Sequence, residues 1–443
     1  MKSPRPNPID LRWVILAGGV GSRLRTITGD MPKCMVPLLG KPLLFHQIDN
    51  LVKNGVTSID FLLGYNAHLI LEDIENYCTN LDLAFEFFVE KEPLGTGGAL
   101  LNYWRHKPEK VGLVYGDLFF ALDLDELVRS TQVQNYAWKQ IIHPSSHFFD
   151  SDIIESDSSG LILNYYLKPF ESFPKVKNRT NAGVYFFNQE AIGWATQNQA
   201  NLPRKFDLDR ELIPRMHAAG LQARAVEDLG YCRDLGTPER FKEVERDIKS
   251  GITSRKVRPM IFLDRDGVIN FDSGHIDNVD SFILLDGVIE AIRMLNSLGV
   301  WIVVVTNQPV IARGDLTTSG LNEIHCYLES ILAKEGAYIN EVYFCPHHPE
   351  HGHLGEIPSL KIPCSCRKPN TGLLESAVKK YPSDLSRSIL LGDSIRDQQT
   401  AKRFGIEFIG IQNELQSNFS KGKFKSRASL LDAIADVSKH ITS

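Results

Sequence analysis

Phe262-Leu263-Asp264-Arg265-Asp266-Gly267 sets two carboxylates two residues apart at the end of an apolar run. On extended backbone, residues i and i+2 project to the same side, so Asp264 and Asp266 face one pocket and Arg265 is expected to point away from it. The pair suits phosphoester chemistry. Asp264 can attack phosphorus to form an aspartyl-phosphate, while Asp266 protonates the leaving oxygen and then activates water. A second constellation, Cys345-Pro346-His347 followed by Cys364-Ser365-Cys366, offers three thiolates and one imidazole. That is the ligand set of a closed, structural Zn2+ site, which would tie down the long loop 350–363. His348, His351 or His353 could replace His347, and free buried cysteines are the competing reading. A third, Leu16-Ala17-Gly18-Gly19-Val20-Gly21-Ser22-Arg23, follows an apolar run directly. Its glycines let backbone N–H groups approach phosphate oxygens and Arg23 adds charge, although such a turn alone is equally a tight strand-to-helix connection.

These groups need elements to hold them. Apolar runs Trp13–Ala17, Ile59–Leu63, Ala84–Val89 and Val111–Tyr115 read as strands between amphipathic stretches such as Pro42–Asn54. The helical stretch Pro238–Lys249 ends at Gly251, and a short basic segment precedes a fresh alternation. There Met260–Leu263, Trp301–Thr306, Glu341–Phe344, Ser388–Leu391 and Glu407–Gly410 read as strands, with Val288–Leu298 and Leu321–Lys334 as helices. The expected architecture is therefore α/β throughout: an extended tail (1–10), a first domain (11–250), a linker (251–258) and a second domain (259–443).

A chain of 443 residues is long enough for two cores, and a net charge of −5 without a basic run gives no footprint for nucleic acid. Seven cysteines, three of them gathered in the metal constellation, do not form a disulfide framework. With no signal-like apolar stretch at the N-terminus and no membrane-length run, the expectation is a cytoplasmic protein; small anionic substrates stay open to it, since their sites need only local positive charge.

The glycine loop is followed by Met31-Pro32-Lys33-Cys34-Met35-Val36-Pro37, and here the sequence resembles the nucleotidyltransferases that make NDP-sugars, those of the GDP-heptose route in particular. The resemblance covers roughly the first 240 residues and implies a Rossmann-like, GT-A-like domain. It implies that Leu16, Ala17, Gly18, Gly19, Gly21 and Ser22, with Glu92, Gly95, Thr96 and Gly97 of the base-reading loop, bind nucleotide. Arg23 and Lys33 would neutralise the triphosphate, Asp117 and Asp234 would hold Mg2+, and Lys168, Asn181 and Gly183 would hold the sugar 1-phosphate. The chemistry is attack of a sugar-1-phosphate oxygen on the α-phosphorus of an NTP, where charge and positioning make up most of the barrier. The polar stretch His143–Asp152 could line the sugar site or be plain surface.

The second half resembles the haloacid-dehalogenase (HAD) phosphatases over nearly all of Pro259–His440 and implies a HAD-like Rossmannoid domain with a zinc loop. Thr306, Asn307 and Gln308 would contact the phosphoryl group, Arg367 and Lys368 would supply cations, and Asp393, with Asp397 four residues on, would join Asp264 and Asp266 at a second Mg2+. The Cys/His loop ahead of Arg367-Lys368-Pro369 is similar to the heptose-1,7-bisphosphate 7-phosphatases and the histidinol-phosphate phosphatases, and Ile311-Ala312-Arg313-Gly314 favours the former. Pro309-Val310 departs from the small Ser-Gly pair usual there. Together the likenesses imply a bifunctional enzyme of nucleotide-activated heptose biosynthesis, feeding lipopolysaccharide or another surface glycan, with GTP as the first nucleotide to consider. The alternatives are a mannose- or glucose-type sugar 1-phosphate with an unrelated phosphatase substrate, or one non-catalytic half.

Overall fold

The computed structural model describes residues 11–19, 29–129, 136–170, 174–274, 276–412 and 426–442. The tail 1–10 and, within the glycine loop, Gly21, Ser22 and Arg23 lie outside them. The described residues divide into two compact units, one within Met1–His143, Asp152–Leu167 and Thr180–Arg255, the other within Pro144–Ser151, Lys168–Arg179 and Lys256–Ser443. The second unit thus takes in two stretches that precede the basic segment at 251–258.

The first unit is built on β1 (Arg12–Ala17), β2 (Ser58–Leu63), β3 (Ala84–Val89), β4 (Val111–Tyr115), β5 (Leu118–Ala121), β6 (Trp138–His143), β7 (Ile153–Ser156), β8 (Ile162–Tyr166), β9 (Thr180–Phe187), β10 (Ala223–Glu227) and β11 (Tyr231–Asp234). Nine of these form one sheet in the order β8-β7-β9-β4-β1-β2-β3, with β6 and β10 added beside β9. The strands β4-β1-β2-β3 are mutually parallel, and β9 runs antiparallel to β4. Alternation along β1 explains why it is central: Trp13, Ile15 and Ala17 enter one apolar cluster and Val14 and Leu16 another, so both faces are buried. The remaining strands, β5 and β11, form a separate antiparallel pair in which Asp234 stands opposite Leu118.

The second unit carries β12 (Met260–Leu263), β13 (Trp301–Asn307), β14 (Glu341–Cys345), β15 (Ile389–Gly392), β16 (Glu407–Ile411) and β17 (Ser426–Arg427), in the order β14-β13-β12-β15-β16-β17 and parallel throughout. The apolar runs of the central strands β12, β13 and β15 are buried on both faces; Ile261, Leu263, Ile302, Val304, Ile389 and Leu391 all feed one cluster. In such sheets the strand ends at the carboxyl edge are where ligands bind, and the motifs that begin at Asp264, Thr306, Cys345 and Asp393 stand at one, whereas Cys364–Lys368 comes from the long loop after β14.

Candidate active sites and a candidate metal centre

In the second unit, β12 ends at Leu263 and delivers Asp264, whose backbone N–H donates to the Leu391 carbonyl of β15 at 2.9 Å. The next strand end, Gly392, delivers Asp393, and the helix that follows opens with Ser394 capping Asp397. These three carboxylates gather with ligand atoms within 4.8 Å of one another. One ammonium serves them: Lys368 Nζ lies 2.8 Å from Asp264 and 2.6 Å from Asp397, with all three residues buried. Burial pushes the Asp264 carboxyl well above the usual range and Asp397 adds to it, against the opposing pull of Lys368. Burial and the same neighbour raise Asp393 to about 7. Three crowded carboxylates against one cation are short of positive charge, and hard oxygen donors in that setting fit a divalent ion such as Mg2+.

Asp266 stands apart from this cluster. Its carboxylate accepts from Arg265 Nε at 3.0 Å and Nη2 at 2.9 Å, from Gln308 Nε2 at 2.8 Å and from Asn270 Nδ2 at 3.0 Å. The sequence expectation that Arg265 points away is thereby corrected. Alternation sets its first bonds, but the side chain is long enough to return, and a guanidinium that is 1 % exposed requires a carboxylate partner. Arg265 Nη1 also meets His325 Nε2 at 3.3 Å, and burial and Arg265 hold that imidazole well below its ordinary value, as the neutral acceptor. The amides read as phosphoryl contacts are occupied by protein. Gln308 bridges Asp266 and Thr306, and Asn307 exchanges two hydrogen bonds with the backbone of Lys368, at 3.0 and 3.1 Å. Asn307 therefore sets where Lys368 stands.

Cys345, His347, Cys364 and Cys366 do come together. The thiol sulfurs are 3.2–3.5 Å apart, and His347 Nδ1 is 3.3 Å from Cys366 and 3.6 Å from Cys345. A tetrahedron with Zn–S near 2.3 Å and Zn–N near 2.0–2.1 Å has S–S edges of about 3.8 Å and N–S edges of about 3.5 Å; the sulfurs stand a few tenths of an ångström inside that, and the donor set of three thiols and one imidazole fits zinc. His347 is the histidine in place; His348 faces the Glu350 carbonyl and His351 faces Glu356. The Arg367 N–H donates to Cys364 Sγ at 3.3 Å and its guanidinium to the His347 carbonyl at 3.0 Å, so the cluster also orders the segment that leads to Lys368.

In the first unit, β4 ends at Tyr115 and Asp117 follows; Lys33, on a 3-10 turn after Pro32, reaches Asp117 at 2.7 Å. The Leu235 N–H donates to the Asp117 carbonyl at 2.8 Å, so the pairing of β5 with β11 brings the Asp117 and Asp234 segments side by side. Arg240, which the sequence motifs do not single out, grips Asp234 at 2.7 and 2.9 Å. Burial alone would raise the Asp234 carboxyl, but Arg240, the Gly236 N–H and Lys33 outweigh it and hold it below the usual range. The only signal for Arg240 is its place one turn into the helix capped by Thr237. Gly18 sits against Gly64, and the Gly18 carbonyl accepts from the Tyr65 N–H at 3.3 Å.

The stretch read as base-binding is packed on Phe206. Gly97 N–H donates to the Phe206 carbonyl at 3.1 Å, and a Cβ at Gly95, where φ is +74°, would overlap that carbonyl. Thr96 is bonded to Asp207 at 3.1 Å, and Glu92 pairs on the surface with Arg204. Lys168 belongs to the second unit, where its ammonium meets Asp150. Asn181 and Gly183 lie on β9, the Asn181 side-chain oxygen accepting from the Gly183 N–H at 3.1 Å.

Residues 12–251, more than half of the chain, match the Nucleotidyl transferase family. Over 143 residues, 32% of this chain and 74% of the relative, the chain is 41% identical to the D-glycero-beta-D-manno-heptose-1,7-bisphosphate 7-phosphatase of Salmonella typhi. The chain belongs to both families. It is an enzyme with a nucleotidyltransferase half and a phosphatase half. The phosphatase of the same name from Rhodopseudomonas palustris is 36% identical over 157 residues, 35% of this chain and 85% of that one. Residues 365–434 match the HAD-hydrolase-like family, and they include Lys368, Asp393 and Asp397. Among solved structures, HddC from Yersinia pseudotuberculosis complexed with GMP-PN is 25% identical, covering 54% of this chain and 99% of its own, with a TM-score of 0.45. Among the described residues no helix is long and apolar enough to cross a membrane.

Proposed function

We propose that this nucleotidyltransferase–phosphatase carries out two consecutive steps in making a nucleotide-activated heptose for a surface glycan. The phosphatase half removes the 7-phosphate of D-glycero-D-manno-heptose 1,7-bisphosphate. The nucleotidyltransferase half joins the resulting heptose 1-phosphate to an NTP, GTP being the first to test, and releases pyrophosphate. The observation that carries the reading is that one chain belongs to both families, the phosphatase relatives being named for a sugar bisphosphate whose dephosphorylated product is a sugar 1-phosphate. Substrates of this kind place the work in the cytoplasm.

In the phosphatase step, a carboxylate oxygen of Asp264 forms a bond to phosphorus as the bond from phosphorus to the C7 oxygen breaks, and Asp266 gives that oxygen its proton. Asp266 then takes a proton from water, the water oxygen bonds to phosphorus, and Asp264 leaves as a carboxylate. Lys368 lies between Asp264 and Asp397 and balances the charge that builds between nucleophile and phosphoryl group. Arg265, Gln308 and Asn270 hold Asp266 where it can exchange protons. Mg2+ held by Asp264, Asp393 and Asp397 would add positive charge against phosphoryl oxygens, which leaves Asp266 for proton transfer. Cys345, His347, Cys364 and Cys366 would hold Zn2+, and with four protein ligands its part would be structural. In the other half, Asp117 and Asp234 are the candidate ligands for a second Mg2+, Lys33 and Arg23 the candidate triphosphate cations, and Asn181 and Gly183 the candidate sugar-phosphate contacts.

Purified protein given heptose bisphosphate, each NTP in turn and Mg2+ tests the reading. Release of both phosphate and pyrophosphate, with an NDP-heptose formed, is expected. Phosphate release with no nucleotide sugar from any NTP would sink it.

A further inference from the structure

A polar cluster in the nucleotidyltransferase half has no place in the scheme above. Asp209 sits on the π-helical turn Leu208–Leu212, which Asp207 caps by accepting the Asp209 and Arg210 N–H groups at 2.9 and 3.0 Å. Its carboxylate accepts from the Tyr115 hydroxyl at 2.6 Å, from the Tyr185 hydroxyl and from Asn181 Nδ2 at 3.0 Å. Asn181 Nδ2 also donates to the Tyr185 oxygen. Among the described residues no cation pairs with Asp209, which distinguishes it from Asp117 and Asp234.

The bonds fix the orientation of one amide. The nitrogen of the Asn181 amide faces the Asp209 carboxylate and the Tyr185 oxygen, whose own proton goes to Asp209, so both can only accept there and the nitrogen must be the atom that meets them. Among the described residues the Asn181 oxygen accepts only the Gly183 N–H, which leaves one lone pair to take a hydroxyl proton. Turning the amide over would set its oxygen against the Asp209 carboxylate. Gly183, with φ at +73°, packs so closely on the Tyr115 ring that a Cβ would come within 2.8 Å of it, and Tyr115 ends the strand that leads to Asp117.

We propose that Asp209 is a positioning residue of the nucleotidyltransferase, holding the Asn181 amide so that its oxygen accepts a hydroxyl of the sugar 1-phosphate. This rests on the reading of Asn181 as a sugar contact. Burial raises the Asp209 carboxyl to about 7, and Asp207 and Asp152 push the same way against the two tyrosine hydroxyls. Tyr115 and Tyr185, held well above their ordinary values by burial and by Asp209, stay protonated and remain donors. Below neutrality Asp209 gains a proton and loses an acceptor, and the amide loses its anchor.

The test uses the full chain and pyrophosphate release, with the best-used member of a panel of hexose and heptose 1-phosphates. Asp209→Asn is expected to raise KM for the sugar 1-phosphate about tenfold, the worth of about one hydrogen bond to a charged group. KM for the NTP, kcat and phosphate release should stay within about twofold. In the wild type the sugar KM rises as pH falls through about 7, and in Asp209→Asn only the substrate's own ionisation near pH 6 remains. If Asp209→Asn folds poorly by circular dichroism, Tyr185→Phe, which removes one donor, carries the same expectation for KM. Asn181→Ala separates the two levels. Were it to raise the sugar KM while Asp209→Asn did not, the positioning role would be overturned and the sugar contact kept. Were Asn181→Ala without effect on that KM, the sugar contact itself, and the proposal with it, would fall.

Discussion

Lys368→Met removes the one cation between Asp264 and Asp397. Lys368 is 3 % exposed and Asp397 fully buried, so neither water nor salt can replace the lost charge. Breaking a buried pair by deleting one partner costs about 3–5 kcal/mol. Two pairs share this cation, but the costs do not add, because protonation of one carboxylate limits the second. Burial works against the ammonium, and Asp264 and Asp397 outweigh it and hold it above its ordinary value. A raised lysine contributes fully below its unfolded value near 10.4 and loses the contribution as pH rises through its folded one, so its own titration removes nothing between pH 6 and 9; the carboxylate that takes up a proton in the variant makes the loss grow as pH rises across that range. For a unit of this size it corresponds to a fall of about 6–20 °C in the phosphatase transition by calorimetry. Phosphate release from the bisphosphate should fall at least about a hundredfold, the usual consequence of deleting a preorganised charge, while pyrophosphate release from sugar 1-phosphate supplied directly is unchanged. Adding Asp397→Asn, which keeps a capping side chain beside Ser394, should recover at least about 1 kcal/mol because one of the stranded charges goes with it. A transition within about 2 °C of wild type, or phosphate release within tenfold, would refute the account of Lys368 as the counterion that holds this site together.

Asp117→Asn should abolish pyrophosphate release and leave phosphate release intact; its stability cost should be under about 1 kcal/mol, since its pair with Lys33 is partly exposed. Cys364→Ser should lower bound zinc, read by metal analysis, from about one per chain and open the loop 350–363 to trypsin, whereas wild-type protein purified without zinc and fully active would count against the site. Glu341→Gln tests a different network. Burial raises that carboxyl, but Arg179, Lys177 and Lys380 overcome it and hold it at about 2. A lowered carboxyl contributes stability above its unfolded value and loses it as pH falls through the folded one. The wild-type advantage should therefore be about 3 kcal/mol at pH 6 and gone by pH 2, and an advantage independent of pH would contradict the assignment.

The two α/β alternations were legible because their central strands are buried on both faces and so read as short unbroken apolar runs; Ala84–Val89, at the sheet edge and nowhere fully buried, was legible from its aromatic residues alone. Trp13–Ala17, Ile59–Leu63, Ala84–Val89, Val111–Tyr115 and Met260–Leu263 recur as strands within a residue of the expected ends. The membership of Pro144–Ser151 and Lys168–Arg179 in the second unit was not legible. It rests on partners far off in sequence: the Asn178 N–H donates to Glu329 at 2.7 Å and Arg179 to the Asn340 carbonyl at 2.7 Å. Local composition around 178 carries no trace of them.

The same division runs through the sites. Residues proposed to do chemistry are fixed in type by the reaction and in spacing by the strand end or ligand geometry that groups them, which is why Asp264 with Asp266, and the four candidate zinc ligands, stand out of a single sequence. Residues that aim them are not so constrained. Arg240 holds Asp234, Arg265 folds back on Asp266 with His325 behind it, and Asp209 orients Asn181 from 28 residues away. Any donor or acceptor of suitable reach would serve in each place, so no spacing rule announces it. For Arg265 the local rule pointed the wrong way, because alternation governs where a side chain leaves the backbone and not where its long, rotatable stem ends. What decides that is the cost of leaving a guanidinium buried without a carboxylate, a quantity that exists only once the fold has closed around it.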